Sequence, residues 1–212
     1  MSTIAMTFAP ERASAATRAA YAVAVTVTGA LLVSLLAQIS FTLPFTPVPI
    51  TGQTLGVLLV GAACGPSLGA ASMGLYLVWA VAGLPVLAPD ADGSHRTGVE
   101  VLLLASATGG YLWGFVVAAA VTGWLARRGW DRSLRSAISA MLLGSIVIYL
   151  FGVPWLIAAL DLTVQQGLEF GLYPFVIGDV LKLLAAAALL PGAWALLRRS
   201  RDVDRRVKPG HR

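Results

Sequence analysis

The stretch "PFVIGDVLKLLAAAALL" (174–190) decides how this chain is read. From Leu183 to Leu190 no side chain carries a polar atom, and the apolar character continues to Leu197. Proline is favoured in the first turn of a helix, so a helix is predicted over 174–197. At ~1.5 Å per residue it is long enough to cross a hydrocarbon core of ~30 Å. Yet Asp179 and Lys182 stand inside it, one turn apart. An ionisable side chain near the bilayer centre costs about 2.5–3.5 kcal/mol, so the two carry about 5–7 kcal/mol unless they pair or meet a ligand.

Composition agrees with a membrane reading. The 212 residues are 58% hydrophobic and 12% charged, with a mean hydropathy of +0.81, whereas a soluble domain carries about 25% charged residues. Apolar runs of about 20 residues recur, and the strand alternation of an outer-membrane barrel is missing. The single cysteine, Cys64, excludes an intramolecular disulfide and an all-cysteine metal site. His95 and His211 lie far apart, so no metal and no cofactor are expected. No A-x-A-type site ends the first apolar stretch, which reads as a retained helix rather than a signal peptide.

Six helices are predicted, over 18–38, 53–63, 68–86, 109–126, 136–160 and 174–197, giving an all-α, six-helix transmembrane bundle. A short interfacial helix over 99–105 precedes the fourth, and 161–171 is a connection. Residues 1–17 form an N-terminal segment and 198–212 a basic tail. Arg12, Arg18, Arg127, Arg128, Arg132, Arg135 and seven basic residues after Leu197 then fall on one side. Arg96 and the acids Asp90, Asp92, Glu100, Asp161 and Glu169 fall on the other. Basic residues mark the cytoplasmic face, so both termini are expected there. The net charge of +5 is accounted for by this sorting, and no nucleic-acid partner is expected.

With that orientation the last helix enters from outside, Asp179 lies about 7–8 Å along it and Lys182 about 12 Å. They share one helix face, as a mutual ion pair or as a polar floor for a ligand entering from outside. "PFTPVPITGQ" (44–53) has three prolines in six residues, a stiff segment with few backbone donors. It delivers Gln53 to the start of a short helix, either as a cap or as an amide facing a ligand. "ATGGYLWG" (107–114) adds Gly109 and Gly110, which permit close backbone approach, and Tyr111 with a ring and a hydroxyl. Tight helix packing explains those glycines equally well, since Gly110 and Gly114 have G-x-x-x-G spacing.

No G-x-x-x-x-G-K-[ST] is present, so the chain does not hydrolyse nucleotide by a P-loop. "VIGD" (176–179) is similar to the glycine-aspartate of intramembrane aspartyl proteases, but no second acid is centrally placed in an apolar run. An enzyme is not expected. Ala16, Ala20 and Ala24 form a small-residue ridge on the first helix that lets another helix approach closely, inside the bundle or outside it.

Taken together, "PVPITGQTLGVLLVGAACGPSLGAASMGLYLVWAVAGLPV" (47–86), "TGGYLWGF" (108–115), "YLFGVPWL" (149–156) and "PFVIGDVLK" (174–182) resemble BioY, the biotin-capturing S component of energy-coupling-factor vitamin transporters. The pieces occur in the family's order and spacing between Phe41 and about Leu190. The resemblance implies a six-helix bundle in the bacterial plasma membrane, with a biotin pocket near the outer surface roofed by the loops after the first and third helices. It implies that Asp179 and Lys182 match the family's G-D-x-x-K pair, which contacts the vitamin.

Biotin offers a ureido group with two N–H donors and one carbonyl, a thioether ring and a carboxylate. Asp179 suits the ureido N–H, Lys182 the ureido oxygen or the carboxylate, and Trp79 and Tyr111 the apolar walls. The resemblance also turns the alanine ridge toward a transmembrane coupling subunit joined to two ATPases, with the bundle tilting when they hydrolyse ATP.

The chain departs from the family pattern in two places. It contains no asparagine, where some members present one to the ureido group, and "SA" (106–107) stands where the family prefers G-P. Gln53 or a residue of "APDADGSHRTG" (88–98) would replace that hydrogen bond. Arg96 meets the carboxylate or pairs with Asp90 or Asp92. The competing readings are an S component for thiamine, whose cation calls for extra acidic or aromatic residues, and a structural membrane protein whose Asp179–Lys182 pair only orients helices.

Overall fold

The structure is a computed structural model that describes residues 3–10, 14–104 and 106–207, with backbone alone at 198 and 200–207. Arg12, Ala105, Lys208, His211 and Arg212, which enter the sequence reading, lie outside the described residues. In chain order the helices are α1 (Ile4–Thr7), α2 (Ala15–Ala37), α3 (Gln53–Cys64), α4 (Pro66–Val81), α5 (Gly109–Arg127), α6 (Leu134–Leu160), α7 (Val164–Gly171) and α8 (Val176–Val207). Two-residue strands β1 (Ser40–Phe41) and β2 (Ile50–Thr51) pair antiparallel, Ser40 opposite Thr51 and Phe41 opposite Ile50.

Four spans, Ala15–Ala37, Gly109–Arg127, Leu134–Leu160 and Val164–Leu197, are long and apolar enough to cross a membrane. Helices α3 and α4 are apolar but shorter, at 12 and 16 residues, or about 18 and 24 Å. The fourth, fifth and sixth predicted helices match α5, α6 and α8 closely at their starts. The third ends early, at Val81 rather than Val86. Gly83 takes φ +93° just beyond it, a left-handed turn that glycine adopts without strain, and Pro85 follows. The expected helix over 99–105 is a single 3₁₀ turn, Val99–Leu102. Helix α8 continues past the expected end at Leu197 to Val207.

The 161–171 connection is a helix rather than a loop. Thr163 caps α7 in a reciprocal capping box with Gln166, which satisfies two otherwise orphaned backbone donors. Gly167 and Gly171 are its buried positions, set against Ile157 and Leu156 of α6. Two glycines in eight residues lower its intrinsic helix preference by about 1 kcal/mol each, so tertiary packing maintains it.

Helix α5 is the centre of the bundle and packs on α3, α4 and α6. A Cβ at Gly61 of α3 would stand 2.2 Å from Thr122 Oγ1 and 2.6 Å from the Ala119 carbonyl of α5. Only glycine there lets the short α3 sit flush against its neighbour, which is small-residue packing of the membrane kind. One buried cluster, including Tyr76, Tyr111, Phe115, Ile148 and Phe175, fills the half of the bundle where α3, α5 and α8 begin. A second, around Leu58, Met141, Leu183 and Leu190, fills the other half.

Candidate ligand-binding site

The first turns of α3, α5 and α8 converge on one cavity. Its wall includes Thr51 of β2, Gln53 and Thr54 of α3, Thr108 just before α5, Tyr111 of α5, and Asp179 and Lys182 of α8. Ile148 and Tyr149 of α6 close the side, Val48 and Pro49 of the proline segment lie across it, and Leu87, Ala88 and Arg96 come from the loop after α4. The space between these residues is about 740 Å³ with its open mouth included. Helix N-termini carry positive partial charge, so Asp179 in the first turn of α8 is favourably placed.

Asp179 and Lys182 form the ion pair that their spacing allows, with Lys182 Nζ 2.9 Å from Asp179 Oδ1. Their side chains are 12% and 17% exposed, so the pair is mostly withdrawn from solvent but open to the cavity. Further groups complete a network. Tyr149 donates its hydroxyl to Asp179 Oδ2, Lys182 donates to Thr54 Oγ1 at 3.2 Å, and Thr54 reaches Asp179 Oδ1 at a long 3.5 Å. A carboxylate and an ammonium are thus held side by side without net charge, matched to a ligand with both N–H donors and oxygen acceptors.

Gln53 does not cap its helix; Gly52 occupies that position. The Gln53 amide donates to Tyr76 Oη at 2.5 Å and accepts from Thr51 Oγ1 at 2.9 Å. It is 8% exposed and lines the cavity, with one N–H and one lone pair still to offer. Tyr111 also lines the wall. Its hydroxyl donates to the Gly171 carbonyl of α7 at 2.7 Å, and its ring meets that of Tyr149 edge-on, 6.3 Å between centroids. Arg96 stands at the cavity and pairs with Asp90 at 2.9 Å, so both of its expected contacts are compatible.

Three expected residues are elsewhere. Gly109 and Gly110 face α6, where a Cβ at Gly110 would stand 2.2 Å from Trp155 Cβ and 2.5 Å from the Phe151 carbonyl. They serve helix packing, and that packing brings Thr108 and Tyr111 to the cavity. Trp79 packs against the buried cluster and is not part of the wall. Ala16, Ala20 and Ala24 are exposed along α2, far from the cavity wall, and Ala24 borders an apolar groove between α2, α3 and α8.

Thr54 and Tyr149, which complete the Asp179–Lys182 network, were not expected from the sequence, nor were Thr51, Ser106 and Thr108 of the wall. Tyr149 had a signal: it is the one tyrosine inside the long apolar run of α6. Thr54 had none, since a threonine next to Gln53 in a first helical turn is unremarked in any sequence.

The proline segment is tied down over this site. Thr46 donates its hydroxyl to the Phe170 carbonyl of α7 at 2.6 Å and accepts from Val48 N at 3.2 Å. The strand pair at its base, with Gly52 N donating to the Ile39 carbonyl at 2.9 Å, fixes where it returns to α3.

Comparison with known proteins agrees on one family. The chain matches the BioY family over residues 8–199. It is 34% identical to biotin transporter BioY of Rhizobium etli, over 76% of this chain and 85% of that one. It is 33% identical to biotin transporter BioY of Rhodobacter capsulatus, over 72% and 86%. Its fold is similar to the crystal structure of an S-component for biotin from an ECF-type ABC transporter, with a TM-score of 0.73 over 88% of this chain and 95% of that one. Sequence identity to that structure is 23%, and the likeness is one of fold. With four membrane-length apolar helices and this match over most of its length, the chain is a membrane protein that belongs to the BioY family.

Proposed function

We propose that the chain captures biotin from outside the cell and delivers it through an energy-coupling-factor transporter, as its substrate-binding membrane subunit. One observation carries the reading: in a member of this family, the Asp179–Lys182 pair and its partners Thr54 and Tyr149 line one cavity. A neutral ureido group and a carboxylate answer a carboxylate–ammonium pair. Thiamine, a cation, meets an Asp179 already balanced by Lys182. The named relatives are transporters, and transport rather than catalysis is the reading for this chain.

The proposal includes six membrane spans, with α3 and α4 as the two short ones, and both termini on the cytoplasmic side of a bacterial plasma membrane. The basic residues at the α5–α6 connection and after Leu197 support that orientation. In it the cavity opens outward under the proline segment and the loop after α4. The exposed alanines of α2 and the apolar groove beside Ala24 are the surface offered to a transmembrane coupling subunit, itself joined to two ATPases. Saturable binding of labelled biotin by the purified chain is the test. A folded chain that does not bind biotin overturns the reading.

A further inference from the structure

The end of the bundle opposite the cavity is built around the α5–α6 connection, "RRGWDRSLR" (127–135), with four arginines and one acid. Helix α5 begins at the cavity and runs 19 residues to Arg127, a rise of about 28 Å. That is close to the ~30 Å of a hydrocarbon core, so Arg127 and Arg128 arrive at the headgroup level of the far surface. The one acid is turned inward. Asp131 is 1% exposed and its Oδ2 accepts from Trp194 Nε1 of α8 at 2.5 Å. The guanidinium of Arg132 lies over the same indole, 4.7 Å from the ring centroid. The connection is thereby fastened to α8, and its carboxylate is withdrawn from the surface.

What stays at the surface is cationic and aromatic. The Arg128 guanidinium lies over the Trp124 ring, 3.7 Å from the centroid, with Trp124 46% exposed. Among the described residues, Arg127, Arg128 and Arg135 make no ion pair. A guanidinium stacked on an indole face keeps its in-plane N–H groups for a bidentate contact with phosphate oxygens, in a geometry already fixed before the ligand arrives.

We propose that Arg128 seated on Trp124, beside Arg127 in the anchored α5–α6 connection, binds the phosphate of an anionic phospholipid headgroup. A lipid suits this seat better than an acidic protein segment. Trp124 is the last exposed aromatic of a helix of membrane length, so acyl chains border the seat on one side and headgroups on the other, where tryptophan is favoured.

The test uses the full chain in nanodiscs of phosphatidylcholine with a minority of phosphatidylglycerol, and counts the lipids retained on release by native mass spectrometry. Phosphatidylglycerol should be retained in preference to phosphatidylcholine. Arg128→Gln should weaken that retention about fivefold, and Trp124→Leu should weaken it in the same direction. Arg199→Gln removes the same charge from α8 and should change retention by less than about twofold. Equal losses in Arg128→Gln and Arg199→Gln would reduce the effect to net charge and overturn the site. Equal retention of the two lipids would also overturn it and return the arginines to an acidic partner. Displacement of phosphatidylglycerol by soluble glycerol phosphate at matched concentration would reassign the seat to free phosphate.

Discussion

Lys182 Nζ lies 2.9 Å from Asp179 Oδ1, one helical turn away, and both side chains face the same cavity. Of the two alternatives from sequence the mutual ion pair is formed, and it faces the cavity where the proposed ligand floor would lie. Each charge is stabilised by the other. Breaking the pair has an asymmetric consequence. Asp179→Ala leaves an ammonium whose remaining protein partner is Thr54, and should lower stability by about 1–3 kcal/mol while the bundle stays folded. Replacing both residues with leucine removes the buried charges together and should restore stability to the wild-type level or above. Thermal unfolding in detergent checks this; a double variant less stable than the single one would contradict it.

The proline segment is held over the cavity through Thr46 and the Phe170 carbonyl. Thr46→Val keeps the side-chain shape and removes the donor. The loss of about 1 kcal/mol should appear as biotin dissociation about fivefold faster in a chase with unlabelled vitamin. An unchanged dissociation rate would mean that the prolines hold the segment without the hydroxyl.

The exposed alanines of α2, the proposed partner surface, lie outside the cavity wall. Substituting Ala20 and Ala24 together with leucine should leave biotin affinity unchanged and abolish copurification with a coupling module, because close helix approach depends on small side chains. Normal copurification would return the ridge to the lipid.

Asp131, in the connection between α5 and α6, provides a pH dependence. Burial raises its carboxyl above the ordinary value of 3.8, and this outweighs the opposing Trp194 hydrogen bond and the Arg132 charge. A raised pKa means that the folded state binds the proton more tightly. The resulting stabilisation is complete below the unfolded value and is lost as pH rises through the folded one. Wild-type thermal stability should therefore fall as pH rises above about 3.8 more steeply than that of Asp131→Asn, which keeps an acceptor for Trp194. Parallel profiles for the two proteins would contradict this.

Much of this architecture was legible in the residues. Long apolar runs marked α2, α5, α6 and α8 because membrane spans carry a strong compositional signal. The G-D-x-x-K spacing placed Asp179 and Lys182 on one face, and Gln53 and Tyr111 reach the same cavity. Packing was harder to read. Gly109 and Gly110 face Trp155 rather than the cavity, because glycine next to a ligand and glycine next to a helix look alike in sequence. Tyr149 contributes through a fold-back of 30 residues to Asp179, a juxtaposition that periodicity within one helix does not contain. Helix α7 was obscured by its two glycines and by its length of 8 residues.

Equilibrium binding of labelled biotin to the detergent-purified protein tests the central claim most directly, with wild type, Asp179→Ala and Lys182→Ala measured side by side and thiamine as competitor. Saturable binding by the wild type, lost in both variants and unaffected by thiamine, is the expected result. Wild-type-like affinity in the folded Asp179→Ala protein, or displacement of biotin by thiamine, would contradict the assignment.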